Sequence, residues 1–215
     1  MTAELNRRMN LKSELNDSEL LRLMLAGDEE AFALLYHRRH GGIYRFASQM
    51  SGSDSIGDDV TQDVFMFLMR EGHTFDPAKG TLSAFLLGVA RIYVRRRLRA
   101  EQRLELFGHI DVDDDDSPIL QQSDTCPLED LTRAETIESV RKAILSLPEK
   151  YREVVVLCEL QSVSYAETAE ILGCAIGTVR SRLHRARALL LTMLRPAVDV
   201  EQRDSATVKS ARCFA

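Results

Sequence analysis

Residues Ser164–Leu190 read SYAETAEILGCAIGTVRSRLHRARALL, and this stretch decides the fold. Ser164-Tyr165-Ala166-Glu167 has the spacing of a capping box, which opens a helix. Gly173 stands where that helix needs a left-handed residue to stop. Ala169, Gly173 and Val179 lie at offsets 0, 4 and 10. A small Ala169 lets a second helix approach, and Val179 packs that helix back onto the first. This is the frame of a helix-turn-helix; on spacing alone, a purely structural corner between two helices fits as well.

The second helix carries more information. At about 100° per residue, Ile176, Val179, Leu183, Ala186 and Leu190 share one face. Gly177, Ser181, His184, Arg185 and Ala188 lie opposite, with Thr178 and Arg180 at the margins. Five basic residues, counting His184, fall between Gly173 and Leu190, and no acid does. A merely solvated arginine-rich helix normally intersperses glutamates for i,i+4 pairing. Small residues permit close approach, and guanidinium forks suit phosphates and the guanine edge. Thr178, Arg180, Ser181, His184 and Arg185 are therefore candidate DNA contacts on a helix shaped for a major groove.

Helical periodicity extends outward on both sides. A helix over Leu131–Ser146 and one from Pro148 to Leu160 precede the motif. In the first half, Asp17 or Ser18 can cap a helix bearing Leu20, Leu21 and Met24, which Gly27 stops and Asp28 restarts. The next helix carries Phe32, Leu35, Ile43, Phe46 and Met50, with a bend or break expected at Gly41-Gly42 because each glycine costs about 1 kcal/mol against alanine. A helix over Ser55–Arg70 and a long one over Thr81–Arg103 follow. With 11 Gly and 5 Pro in 215 residues, turns are too few for a β-fold. The fold class is all-α.

Net charge is only −5, but it is unevenly placed. Arg91–Arg103 holds six arginines and one acid; Glu105–Asp130 holds nine acids and no Lys or Arg; Gly177–Arg195 holds five arginines and no acid. The acidic stretch, with Asp113 to Asp116 in a row, cannot bury enough apolar surface to offset ordering entropy and reads as a flexible linker. The expected organisation is an N-terminal tail over 1–16, a helical domain over 17–104, the linker over 105–130, a helix-turn-helix domain over 131–195 and a polar tail over 196–215. Arg91, Arg95 and Arg99 fall at i,i+4 intervals and form a basic stripe able to hold the phosphates of a DNA strand or another polyanion.

At this point LPEKYREVVVLCELQSVSYAETAEILGCAIGTVRSRLHRARALL resembles the C-terminal DNA-binding region, region 4, of bacterial sigma factors of the extracytoplasmic-function type. Asp59-Val60-Thr61-Gln62-Asp63-Val64-Phe65 is similar to the region 2 helix with which such factors dock on core RNA polymerase. TFDPAKGTLSAFLLGVARIYVRRRLR is similar to their downstream-element recognition and strand-opening segment. The resemblance implies two helical domains that bind the β′ clamp helices and the β subunit of polymerase and contact two promoter elements. Asp59, Gln62 and Asp63 would then dock polymerase, Arg91, Arg95 and Arg99 would meet the downstream element, and the Thr178–Arg185 face would read the upstream element. It also implies an anti-sigma factor as a frequent partner. The chain departs from the family pattern at Phe85, where Trp is common, at Ile92, where Asn is common, and at Arg96, where an acid is common. Another Trp is common near Met69.

Other classes find little footing. No phosphate-binding glycine loop, nucleophile–base pair or metal-ligand spacing points to an enzyme, a cofactor, a bound metal or a small-molecule substrate. Asp113 to Asp116 lacks the glycine and spacing of a calcium loop. Cys126, Cys158, Cys174 and Cys213 form no C-x-x-C pair and read as reduced thiols of a cytoplasmic protein. The N-terminus lacks an apolar signal segment, and no run of about 18 apolar residues predicts membrane insertion. The alternative function is a free-standing helix-turn-helix regulator, which predicts a dimer on a palindromic site without polymerase.

Overall fold

A computed structural model describes residues 14–107 and 127–194. The expected linker core, residues 1–13 of the expected N-terminal tail and the expected C-terminal tail lie outside these residues. Among the described residues there is no strand. The elements are α1 (Asp17–Leu25), α2 (Glu29–Ser51), α3 (Asp54–Glu71), a 3₁₀ turn at Gly72–Thr74, α4 (Leu82–Phe107), α5 (Pro127–Leu145), α6 (Glu149–Val155), a π-helical turn at Val156–Leu160, α7 (Tyr165–Leu172) and α8 (Ile176–Leu194).

The caps show how local chemistry sets these boundaries. Asn16, not Asp17 or Ser18, caps α1: its side chain accepts from the Glu19 amide at 2.9 Å, and the Glu19 carboxylate accepts from the Asn16 amide at 2.9 Å. Asp17 is engaged elsewhere, accepting from Arg38 at 3.3 Å and from Arg39 Nε at 2.5 Å on α2. Gly27, at φ +93°, ends α1 and Asp28 caps α2, as the sequence indicates.

The expected break at Gly41-Gly42 does not occur; α2 runs unbroken through both glycines. Leu35 before them and Ile43, Phe46, Ala47 and Met50 after them are all buried. Packing on both sides of the pair outweighs its weak propensity, as tertiary contacts commonly do. α2 and α3 also approach closely at Gly57, where an added Cβ would lie 2.2 Å from Ser48 Oγ. The expected helix from Pro148 to Leu160 differs too. Pro148 precedes the first turn, and Val156–Leu160 widens into a π turn closed by the Gln161 amide on the Val156 carbonyl at 2.9 Å. Val156 and Leu157 stay buried through it while Glu159 is exposed.

Two helical bundles result. In α1–α4, Leu20, Leu35, Ile43, Phe46 and Met50 pack with Val60, Val64 and Leu68 of α3 and with Leu86 and Val94 of α4. In α5–α8, Leu147, Val154, Val156 and Leu157 pack with Ala169, Val179, Leu183 and Ala186. The buried residues of both bundles join in one cluster, so the bundles are docked on each other. Polar groups line the seam. Arg152 of α6 donates to the Met50 carbonyl at the end of α2 at 2.8 Å, and also to the Leu147 carbonyl at 3.2 Å and the Leu145 carbonyl. Gln161 Nε2 donates to Gln49 Oε1 at 3.1 Å, and Arg141 to the Gly52 carbonyl at 3.2 Å.

Candidate nucleic-acid interface

The helix-turn-helix is built as its sequence dictates. Ser164 Oγ accepts from the Glu167 amide at 3.2 Å, and Glu167 reaches back to the Ser164 amide at 3.4 Å. Gly173 takes φ +62°, and the Cys174 amide beyond it closes on the Ala169 carbonyl at 2.9 Å. Ala169, Val179, Leu183 and Ala186 are buried at the crossing of α7 and α8. Ile176, assigned to the same inward face, is 41% exposed. It opens the first turn of α8, ahead of the Val179 contact. Gly173→Ala should cost about 1–2 kcal/mol, the penalty of an L-residue in the left-handed region. No heavy atom would lie within 4 Å of the new Cβ, so urea unfolding of the full chain reads the backbone effect alone. An unchanged midpoint would mean that the turn tolerates another conformation.

The outer face of α8 presents Arg180, Ser181, His184 and Arg185 exposed and Thr178 half-buried. Ser181 Oγ donates to the Thr178 carbonyl at 3.0 Å. Arg180, His184 and Arg185 make no ion pair with a described residue, so their donors face solvent along one side of the helix. Arg187 differs: it pairs with Glu159 of the π turn. That acid lies 28 residues away in sequence, beyond any helical spacing.

The α4 stripe is placed differently. Arg91 donates from Nε to Glu153 Oε1 at 2.5 Å, from Nη2 to Glu153 Oε2 at 3.3 Å, and from Nη1 to the Ile171 carbonyl at 3.4 Å. The side chains of Arg91 and Glu153 are only 16% and 5% exposed. Arg95 forms an ion pair with Glu149 at 2.6 Å. Arg99, one turn beyond Arg95, is exposed. Immediately before Leu82, Thr81 Oγ1 donates to Glu167 Oε1 at 2.6 Å, and this bond holds the Glu167 carboxyl below the usual carboxylate range against the opposing effect of burial. Between these contacts lies a cavity of about 370 Å³ with Phe75, Phe85, Val89 and Ile92 on the α4 side and Glu167, Glu170 and Ile171 on the α7 side. Phe85 packs near Phe75 and Phe67, with centroids 5.4 and 6.3 Å away, whereas Ile92 is 64% exposed.

On α3, Asp59 and Gln62 are exposed and Asp63 is half-buried. Asp59 and Asp63 sit one helical turn apart and are bridged by Arg97 of α4, at 2.7 and 2.6 Å. Burial opposes the charge on Arg97, but the two carboxylates outweigh it and raise its pKa above the ordinary arginine value. Sequence reasoning did not find the groove beside Gln62. It has a volume of about 600 Å³ and is lined by Phe32, Tyr36, His40, Tyr44, Phe65, Met66 and Met69. Tyr36 stacks on His40 at 5.0 Å and leans on Phe65 at 4.7 Å. The available signal was Met66 and Met69, large apolar residues three apart on the polar side of α3, 43% and 45% exposed.

Among the described residues, no helix is long and apolar enough to cross a membrane. A family model for Sigma-70 region 2 matches residues 35–104, and one for Sigma-70 region 4 matches residues 137–190. The chain is 34% identical over 184 residues to the ECF RNA polymerase sigma factor SigM of Mycobacterium tuberculosis, covering 85% of this chain and 87% of that one. It is 31% identical over 193 residues to the ECF RNA polymerase sigma-E factor of Haemophilus influenzae, covering 86% and 99%. Its fold resembles the sigma factor RpoE solved with the anti-sigma factor NepR from Bartonella quintana, with a TM-score of 0.61, 24% identity, and coverage of 76% and 96%. It also resembles CnrH solved with the cytosolic domain of CnrY, with a TM-score of 0.59, 26% identity, and coverage of 83% and 96%. With both regions matched in order and 87% and 99% of the two relatives spanned, the chain belongs to the ECF RNA polymerase sigma factors.

Proposed function

We propose that this sigma factor docks on core RNA polymerase through the α3 face and directs it to two-part promoters. α8 reads the upstream element in a major groove through Thr178, Arg180, Ser181, His184 and Arg185. α4 holds the downstream strand through Arg91, Arg95 and Arg99. Asp59, Gln62 and Asp63 meet the basic β′ clamp helices, and the α5–α8 bundle rests against the β subunit. The division into a promoter-strand unit over 17–104 and an upstream-element unit over 131–195 belongs to the same reading. Its role is to position polymerase, with no reaction of its own, in the cytoplasm. The observation that carries it is the outer face of α8: exposed, acid-free and basic, on a helix fixed by the Ala169–Gly173–Val179 frame. Because RpoE was solved with the anti-sigma factor NepR, such a protein is a natural partner here too.

The test is run-off transcription with core polymerase, the purified chain and a promoter library, followed by sequencing of the transcripts. Initiation from one shared two-part motif is the expected result. Binding to a palindrome without polymerase would overturn it in favour of a free-standing regulator.

A further inference from the structure

We propose that a polar pocket over Gly42 binds a single phosphate group, at a site separate from the outer face of α8 and from the α4 stripe. Arg38, Gly42 and Arg45 fall at i, i+4 and i+7 along α2 and so share one face of it. That face meets Ser83 in the first turn of α4, and Gln161 closes the far side. The pocket has a volume of about 170 Å³, and Arg39 is the third guanidinium that lines it. Its apolar lining residues, Ile43, Leu86 and Leu87, are buried in the core, so the bottom is closed and the polar groups stand around the rim. At about 30 Å³ of liquid volume per water, the space takes one tetrahedral oxyanion but not a nucleobase with its sugar.

The charge in this pocket is not cancelled. Among the described residues no acid lines it, and Arg45 makes no ion pair with any of them. Arg38 and Arg39 share Asp17, which accepts from Arg38 at 3.3 Å and from Arg39 Nε at 2.5 Å. One carboxylate against three guanidinia leaves the pocket positive, and its bonds fix two of the forks before any ligand arrives. Arginine forks of this kind match the oxygens of a phosphate. The two glycines that α2 carries in mid-span fit the same reading. A Cβ at Gly41 would lie 3.3 Å from Arg45 Nη1, so the bare backbone leaves room for that guanidinium to lie back along the helix. A Cβ at Gly42 would meet nothing nearer than Gln161 Oε1 at 4.0 Å, so the missing side chain is open space inside the pocket. Close approach of a ligand to the backbone is one use of a glycine that otherwise weakens a helix. Gln161 Nε2 is bonded to Gln49 at 3.1 Å, which leaves the guanidinia and the Ser83 hydroxyl as the donors.

A phosphate group reaches such a site as a free anion or as part of a promoter strand, and the experiment separates the two. Isothermal titration of the full chain with inorganic phosphate in chloride buffer should show saturable binding to one site. Arg45→Gln should weaken it at least fivefold. Arg70→Gln, which removes the same charge from an exposed position on α3, should weaken it less than twofold. Gly42→Ala puts a methyl group into the open space and should weaken phosphate binding at least threefold while raising the thermal midpoint, because alanine favours the helix. A glycine with a purely structural role would move the midpoint alone. Fluorescence anisotropy with a mixed-sequence single-stranded DNA oligonucleotide is then measured over a salt series. With a strand phosphate in the pocket, Arg45→Gln lowers the slope of log affinity against log salt by about one. An unchanged slope, with phosphate binding intact, assigns the site to a free anion. The site is overturned if phosphate shows no saturable binding, or if Gly42→Ala and Arg45→Gln bind it no more weakly than Arg70→Gln does.

Discussion

Replacing Arg180 and Arg185 together by alanine is expected to weaken binding to the upstream element by about 2–6 kcal/mol, taking about 1–3 kcal/mol for each arginine that reaches a base edge and near-additivity between them. Even the lower bound is a loss of about thirtyfold. The size follows from the placement of the two side chains. Both are exposed on the outer face of α8 and neither is tied to a described carboxylate, so nothing in the protein replaces the contacts they would lose. Arg187 supplies the control. It lies on the same helix with the same charge, but its guanidinium is tied to Glu159. Arg187→Ala should change promoter affinity by less than about 1 kcal/mol, as expected for an exposed pair. The measurement is an electrophoretic shift of the holoenzyme on a promoter found by the transcription screen, with upstream-element mutants to locate the relaxed positions. Undiminished binding after both substitutions would mean that α8 presents a different face to DNA.

What the sequence made legible was local. The capping box at Ser164, the left-handed Gly173 and the buried Ala169 and Val179 follow from spacings of a few residues, and all appear in the structure. The acid-free face of α8 was legible for the same reason, since one helical turn brings its members together. Contacts between distant segments were not. The periodicity of Arg91, Arg95 and Arg99 placed them on one side of α4, yet no periodicity could say that Glu149 and Glu153 would cover two of the three. That pairing depends on how two bundles dock, with Arg91 and Glu153 62 positions apart. Arg97 over Asp59 and Asp63 is the same case on a shorter separation. The misreading at Gly41-Gly42 shows the converse: a local propensity of about 1 kcal/mol per residue yields when both flanks are anchored in a core. The π turn at Val156–Leu160 was equally hidden, because a run of apolar residues does not reveal that its last turn widens.

Gln62→Ala with Asp63→Ala is expected to reduce affinity for core polymerase by at least about 2 kcal/mol, the scale of truncating one side of a hydrogen-bonded charge pair in an interface. Binding of the α5–α8 bundle to upstream-element DNA should be unaffected, since α3 takes no part in it. The geometry makes this loss larger than the removal of one charge suggests. Asp63 is bound to Arg97 at 2.6 Å, and Arg97 also holds Asp59 at 2.7 Å. Deleting Asp63 frees part of that guanidinium next to the partner's basic surface, adding repulsion to the lost attraction. Arg97→Ala separates the two possible roles of these carboxylates. If Asp59 and Asp63 meet polymerase directly, Arg97 is their internal competitor. Its removal should then leave affinity unchanged or improve it by up to about 1 kcal/mol, because the pair is half-exposed and screened. If the carboxylates serve only to anchor α4 on α3, Arg97→Ala should be as damaging as the double substitution and should lower the thermal midpoint to the same extent. Titration of labelled chain against core polymerase, with melting curves of each variant alongside, distinguishes the two, and equal damage from both variants would overturn the docking role of this face.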